Sequence, residues 1–404
     1  EVNERSSNWP FFNEGVIFVI YFDNSATTKI DPQVLDTYNK VATNIWGNPS
    51  SLHKMGDRAH QLLEASRKQI AGLLGVKQHE IFFTSGGTES NNTAIKGTAI
   101  QKREFGKHII TSSVEHASVA NSFTALENLG WRVTRLPVDK EGRVNVNDLR
   151  NAIDSDTTLV SIMGVNNEIG TIQPIDEISD LLENYPTIQF HVDNVQALGK
   201  NIWDKVFTPR VDLSSLSAHK FHAPRGIGIL YKKEGKMLSP LNDGGGQEKG
   251  LRSGTENLPA IAGMAKAIRL LLEDEPEKAA REAAIKAKIV DYLKQKPGID
   301  IFSPVQDNFA PHILCFALEG IRGETLVHTL EDQDIYTSTT SACASKTADE
   351  ASTLVSMHID DKIATSAIRL SFDETNTLAE ADEFIKVFDK IYNHFAKINH
   401  LGEN

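Results

Sequence analysis

Ser217-Ala218-His219-Lys220-Phe221-His222-Ala223-Pro224-Arg225-Gly226-Ile227-Gly228 places a lysine directly after one apolar strand candidate, 211–216, and directly before another, 226–231. The neighbours of Lys220 are small or polar, so its amine is offered at a strand end. A lysine held there beside an anion pocket is a nucleophile when its pKa is depressed. Taken alone, the same pattern also describes a loop lysine in solvent. The surroundings decide between the two. Upstream lie strand candidates at 80–84, 108–112, 159–164 and 188–192, with amphipathic helical stretches such as 58–74 and 175–183 between them. Strands separated by helices predict parallel pairing through crossover connections. In open α/β sheets, ligands collect at the carboxyl ends of the strands. Polar clusters follow four of these strands: Ser85-Gly86-Gly87-Thr88, Glu115-His116, Asn166-Asn167-Glu168 and Asp193-Asn194-Val195-Gln196.

Composition bounds the rest. The chain has 404 residues and a net charge of −12, with 42 basic and 54 acidic side chains. No basic excess exists to neutralise phosphates, which argues against a nucleic-acid partner. The apolar run 16–22 is too short to span a bilayer, so no membrane partner is expected. Two cysteines, Cys315 and Cys343, suggest no disulfide framework and a reducing, cytoplasmic setting. Residues 1–20 read as an N-terminal extension or a cloning remnant. Residues 21–34 read as an N-terminal segment packing with a small domain, 35–260 as a large domain, and 261–404 as a connecting helix and a small α+β domain. The helical stretch 261–296 carries the acidic run Glu273-Asp274-Glu275-Pro276-Glu277, read as a solvated helix and its break. Strand candidates at 312–318 and 367–371 and a closing helix over 379–396 follow.

Each polar cluster has a chemical reading and a plain one. Ser85-Gly86-Gly87-Thr88-Glu89-Ser90-Asn91 opens a helix after a strand, where free N–H groups and the helix dipole favour a phosphate and glycine admits close approach. A simple glycine turn fits equally well, and no Gly-Lys-Ser/Thr follows to make a Walker motif. Asp193 follows a buried strand, where a carboxylate can keep a pyridine nitrogen protonated, or merely cap a helix. His116 can stack on a ring and move protons, or serve packing alone.

The ordered set resembles the fold-type I pyridoxal-phosphate enzymes, in the class-V aminotransferase group, and within it the NifS/IscS-like cysteine desulfurases. The resemblance runs from about Tyr21 to about Lys397. It is carried by Tyr21-Phe22-Asp23-Asn24-Ser25-Ala26-Thr27-Thr28, Gly47-Asn48-Pro49-Ser50-Ser51-Leu52-His53, the Thr84–Asn91 stretch, Glu115-His116, Val165-Asn166-Asn167-Glu168-Ile169-Gly170, His191-Val192-Asp193, Ser217-Ala218-His219-Lys220, Gly244-Gly245-Gly246-Gln247-Glu248 and Arg252-Ser253-Gly254-Thr255. It implies an α/β fold with a large domain built on a mostly parallel seven-stranded sheet and a smaller α+β C-terminal domain. It implies pyridoxal 5′-phosphate bound covalently to Lys220, with Asp193 at the pyridine nitrogen, Gln196 and Asn167 at the ring hydroxyl side, and His116 over the ring. Gly87, Thr88, Ser217 and His219 then hold the phosphate. Thr255 resembles a threonine that reaches the phosphate of a second subunit, which implies a homodimer. Arg369, in Ala367-Ile368-Arg369-Leu370-Ser371, resembles the arginine that grips the substrate carboxylate, with Asn167 beside it, and a guanidinium fork suits that role. No metal is implied.

Cys343 separates the subfamilies. It lies in Ser338-Thr339-Thr340-Ser341-Ala342-Cys343-Ala344-Ser345-Lys346, a small, polar, unpatterned stretch that reads as an exposed loop, with Lys346 favouring a thiolate. Cys315 sits in the apolar run His312-Ile313-Leu314-Cys315-Phe316-Ala317-Leu318 and reads as core. The resemblance implies that L-cysteine loses its sulfur to Cys343 as a persulfide, leaving alanine, and that an acceptor protein such as an iron–sulfur scaffold or a tRNA-thiolating enzyme takes the sulfur on. Three departures stand out: Asn194 replaces a small residue after the aspartate, Phe221-His222-Ala223 replaces a more usual Tyr-Gly pair, and the segment after Cys343, residues 347–361, is unusually polar. Competing readings are a selenocysteine lyase or another class-V enzyme, and a catalytically silent regulatory homologue. Cys343 argues against an aminotransferase, and the intact Lys220, Asp193 and His116 argue against a silent one.

Overall fold

The computed structural model describes residues 19–340 and 353–398. Its strands are β1 (Ile20–Tyr21), β2 (Ile81–Thr84), β3 (His108–Ser112), β4 (Arg132–Leu136), β5 (Thr157–Met163), β6 (Gln189–Asp193), β7 (Leu213–Ser217), β8 (Gly228–Lys232), β9 (Ile299–Ile301), β10 (Ile313–Leu318), β11 (Ile335–Tyr336), β12 (Ser338–Thr339) and β13 (Ala367–Ser371). The large sheet has seven strands in the order β2-β8-β7-β6-β5-β3-β4. β7, β6, β5, β3 and β4 run parallel, and β8 is antiparallel to both β7 and β2. β3, β5 and β6 are buried along their whole length, as parallel strands covered on both faces must be. One face packs against the helices Pro32–Asn44, Lys54–Leu74 and Leu258–Leu272 through a core that includes Val34, Ile70, Phe221 and Ile268.

The second sheet has four strands, β12-β13-β10-β9, all antiparallel. Helices Glu275–Leu293 and Leu378–Ile398 supply its cover, and Phe22, Phe316, Phe372, Phe384 and Phe388 fill its core. The N-terminal segment ties the two sheets together. β1 pairs in parallel with β11, and Asp23 bridges to Ser371 at the end of β13. A few residues later, Thr28 N–H donates to the His219 carbonyl at 2.9 Å, at the lysine turn after β7.

The strand expectations hold to within two residues; β4 and the short β1, β9, β11 and β12 were not expected. β4 is a half-exposed edge strand, Arg-Val-Thr-Arg-Leu, whose two exposed arginines mask its pairing with β3. The helical stretch 261–296 is two helices, Leu258–Leu272 and Glu275–Leu293. The break falls at Asp274, which has φ +54°, just where the acidic run and Pro276 stand. Arg67 and Glu248 form a buried bidentate pair (2.8 and 2.7 Å), and Glu248 also accepts from Phe83 N–H at 2.9 Å. This pins the glycine-rich 244–254 segment beneath β2. Among the described residues, no helix is long and apolar enough to cross a membrane.

Candidate active site

The carboxyl ends of β5, β6 and β7 open into a cavity of about 610 Å³, closed on the far side by residues of β12 and β13. Lys220 ends a short 3-10 turn, Ala218–Lys220, that follows β7 directly. Its Nζ donates to the Ser25 carbonyl at 2.5 Å and to the Ala26 carbonyl at 2.8 Å, both on the N-terminal segment. Gln196 Nε2 donates to the same Ser25 carbonyl at 3.0 Å. Two carbonyl dipoles of the N-terminal segment therefore help to aim the lysine.

Asp193 is the last residue of β6. Its Oδ2 accepts from Asn91 Nδ2 at 2.7 Å and its Oδ1 from Val195 N–H at 3.0 Å. Asn91 Nδ2 also reaches Ser118 Oγ (2.9 Å), which lies 2.8 Å from His116 Nδ1. His116 caps the helix Ala117–Asn128, and its Nδ1 accepts from Ser118 N–H at 3.1 Å. With Nδ1 an acceptor, Nε2 carries the proton of the neutral ring. An unbroken chain, Asp193–Asn91–Ser118–His116, thus fixes the carboxylate and the ring together. Asn91 and Ser118 were not singled out as site residues from sequence. Asn91 lies at the end of the glycine-rich motif, one turn into its helix, and that position was the available signal.

Pyridoxal phosphate requires an amine, a carboxylate for its ring nitrogen and an anion cradle, and the cavity fits all three. Gly86 has φ +153° and precedes the helix Gly87–Lys102, whose N-terminus faces the cavity. A Cβ at Gly87 would lie 3.0 Å from Val195 Cγ2 and 3.2 Å from Ser217 Cβ, so glycine alone leaves the cradle open. Thr88, Ser217 and His219 line it. Burial, helped by the Lys220 and Arg225 charges, pushes the His219 pKa down to about 4, so the ring is neutral at physiological pH. Asn194 is accommodated because Gly164 faces it; a Cβ there would come within 2.1 Å of Asn194 Oδ1.

Arg369, on β13, donates to the Asn167 carbonyl at 2.9 Å and to Asp23 Oδ1 at 2.8 Å. Its Nε is buried without a partner among the described residues. The sheets thereby bring Arg369, Asn167 and Lys220 to one cavity. Thr255 is exposed and is not brought to it. Cys343 lies outside the described residues. The chain is described up to Thr340 on the cavity wall and again from Thr353, whose N–H donates to Glu168 Oε2 at 3.0 Å, while Asn166 Nδ2 donates to its hydroxyl at 3.0 Å. Cys315 is fully buried on β10, and burial pushes its thiol pKa far above the usual range.

Two buried carboxyl groups beside the cavity were not anticipated. Burial raises Glu115 to about 8, against hydrogen bonds from Ser112 and Met163 and with the Asp193 charge adding to the rise. Burial raises Glu168 to about 7, against the Thr353 hydrogen bonds and the Arg369 charge.

His222, the second departure noted in the sequence, adopts φ +60° two residues after the lysine. Its N–H donates to Thr28 Oγ1 at 2.7 Å and its Nδ1 to the Lys29 carbonyl at 2.9 Å. Its Nε2 lies 3.3 Å from Glu374 Oε2 and 3.4 Å from Asp373 Oδ2, beyond β13. A larger cavity of about 910 Å³, sharing Thr27 and Arg225 with the first, opens beside it. Burial alone would lower the His222 pKa, but the Glu374 hydrogen bond and charge, with Asp373, outweigh it and hold it at about 9. A folded pKa above the ordinary 6.5 means the stabilisation is complete below 6.5 and is lost as pH rises through about 9. Glu374 is held down to about 2, so its share is kept above its ordinary 4.5 and lost only as pH falls through about 2. His222→Asn, which tolerates a positive φ, is expected to lower stability at pH 6 by roughly 1–3 kcal/mol. That deficit should vanish above pH 9; denaturant unfolding of both proteins across the range reads it, and a deficit independent of pH would refute the clasp.

The comparisons with known proteins agree with this geometry. The class-V aminotransferase family matches residues 20–384. A protein described as a NifS/IcsS protein homolog, from Lactobacillus delbrueckii subsp. bulgaricus, is 79% identical over 385 residues, covering 95% of this chain and 100% of its own. A protein named cysteine desulfurase IscS, from Clostridium botulinum, is 40% identical, covering 95% of this chain and 97% of its own. A solved structure titled NifS-like protein superposes with a TM-score of 0.86 at 38% identity, covering 93% of this chain and 100% of that one. A lysine after β7, an aspartate ending β6 and a glycine-opened helix share one cavity within a match that spans nearly the whole chain, and so the protein belongs to the class-V aminotransferase family, in its NifS/IscS-like group.

Proposed function

We infer that the β5–β7 cavity is where L-cysteine gives up its sulfur. The chain is a pyridoxal-phosphate-dependent cysteine desulfurase, a fold-type I enzyme. The observation that carries the site assignment is the convergence of Lys220, Asp193 and Arg369 on one cavity whose wall leads, at Thr340, into the segment bearing Cys343. Cys343 is three residues past Thr340 in the sequence.

In this reading Lys220 holds the cofactor aldehyde, Asp193 faces its ring nitrogen, and Gln196, Asn167 and His116 surround the ring. Gly87, Thr88, Ser217 and His219 take the phosphate. The cofactor supplies an electron sink that lets bonds at the substrate α-carbon break. Arg369 orients the substrate carboxylate. Lys220 would take the substrate α-proton and return it. His116, protonated on Nε2, moves a proton near the sulfur. The Cys343 thiolate attacks that sulfur, forming a persulfide as alanine leaves. Residues 35–260 form the cofactor domain, 261–404 the domain carrying Cys343, and 21–34 the segment between them. Thr255, exposed in a single chain, completes the phosphate site of a second copy in a homodimer. The persulfide then passes to an acceptor protein of the iron–sulfur scaffold or tRNA-thiolating kind, in the cytoplasm.

Purified protein with pyridoxal phosphate and a reductant is expected to convert L-cysteine into equimolar alanine and sulfide, and to sediment at twice the chain mass. Formation of 3-mercaptopyruvate by amino transfer, or turnover of selenocysteine with none of cysteine, would replace this reading. A fully active monomer would remove the role given to Thr255.

A further inference from the structure

A third cavity, of about 340 Å³, lies away from the active site where the helix Glu275–Leu293 crosses the large-sheet half of the molecule. Ala279, Ala280 and Ala283 leave one wall open, and Lys286 stands one turn further along the same helix. Only 2% of Lys286 is exposed. Its Nζ donates to the Ala310 carbonyl at 2.9 Å and lies 5.6 Å from the Phe309 ring centroid. Among the described residues no carboxylate lies within ion-pair distance of it. An ammonium group carries three donors, and a buried cation without a counter-charge is costly.

The charged groups facing this space come from three elements. Lys200 and Lys205 come from the 200–205 segment. Asp307 comes from the segment before β10; His312 of that segment and Glu282 of the helix itself do not line the space but lie close to its lysines. Glu282 is already committed to Lys200 at 2.7 Å. Lys205 Nζ donates to the Asp307 carbonyl at 3.1 Å. His312 is fully buried, and burial together with the nearby lysines and Arg369 keeps it neutral. Glu374 and Asp373 also act on the Lys200–Glu282 pair, whereas Lys286, the most buried of the three lysines, has no carboxylate within ion-pair distance among the described residues. Burial pushes Lys286 down to about 7, so an anion arriving beside it would draw a proton onto it.

We propose that this cavity binds a small oxyanion of the phosphate or sulfate class, with Lys286 as its buried counter-charge and Lys205 at its rim. The walls come from both sides of the junction, so the bound anion ties the helix Glu275–Leu293 to the large-sheet half. Calorimetric titration of the holoenzyme, its cofactor phosphate cradle already filled, tests this with inorganic phosphate and, separately, sulfate. Near pH 8, one saturable site per chain is expected, with proton uptake seen as heats that differ between buffers of different ionisation enthalpy. Lys286→Met should weaken binding about tenfold or more and abolish the buffer dependence, leaving cysteine turnover intact. Lys286→Arg, which keeps the charge and does not titrate, should retain binding without proton uptake and guards against a misfolded methionine variant. Absence of saturable binding of either anion, or unchanged binding by Lys286→Met, would overturn the proposal.

Discussion

Lys220→Ala is expected to abolish cysteine turnover, by roughly 10⁴-fold or more, while the protein still folds and still takes up cofactor weakly. Lys220 is the one lysine among the described residues lining the active-site cavity, so no neighbouring amine substitutes for it. Its loss removes both the covalent hold on the cofactor and the group that moves the α-proton. The phosphate cradle around Gly87, Thr88, Ser217 and His219 remains, so binding should persist with its visible absorbance changed. The Ser25 and Ala26 carbonyls that the amine bonds to face the cavity and can be hydrated. Added small primary amines should restore a fraction of activity to the variant. Alanine production near the wild-type rate by Lys220→Ala, measured in stopped assays, would mean that the cofactor is held elsewhere.

The second large effect separates the two cysteines. Cys343→Ala is expected to bind cofactor and cysteine but to lose at least about 99% of alanine production, because no thiolate remains to receive sulfur. Cys315→Ala should keep turnover and lose stability on the order of 1 kcal/mol, the cost of a small truncation in a packed core. Cys315 is fully buried, pairs across the sheet with Arg369, and its thiol is pushed away from ionisation. Cys343 has no such confinement in the sequence around it. Mass spectrometry after a pulse of cysteine should place the persulfide on Cys343 alone. Persulfide on Cys315, or full turnover by Cys343→Ala, would sink the sulfur route.

Most of this site could be read from the chain because it is built from strand ends. Lys220, Asp193, His116 and Asn167 each follow a short apolar run, and parallel strands deliver such positions to one edge. Residues that act through the partners they touch were harder to see. Asn91 resembles any polar residue on a helix until the fold sets its amide 2.7 Å from Asp193. Glu115 and Glu168 look like surface acids in sequence, and only packing shows that their carboxyl groups are buried. The edge strand β4 was missed for the opposite reason: half its side chains face water, so its pattern is that of a loop. His222 was noticed as a departure, but its ion pair joins positions 152 residues apart, which no local pattern reveals.

The segment from Ile20 to Thr28 has a consequence for how the enzyme is made. It leaves the ribosome long before β13 does, and Ser25 waits for Ser371, 346 residues later, to accept its N–H. At ordinary elongation rates that interval is roughly 20 to 70 seconds. Until then the carbonyls that aim Lys220 have nothing to hold them, and closing so long a loop is the slow, non-local step of assembly. A nascent or prematurely ended chain therefore carries the lysine, the aspartate and the glycine cradle without the strap that aligns them. Competence to capture the cofactor and act on cysteine is in this way coupled to synthesis of β13, and chains that stop before it are spared from releasing sulfide.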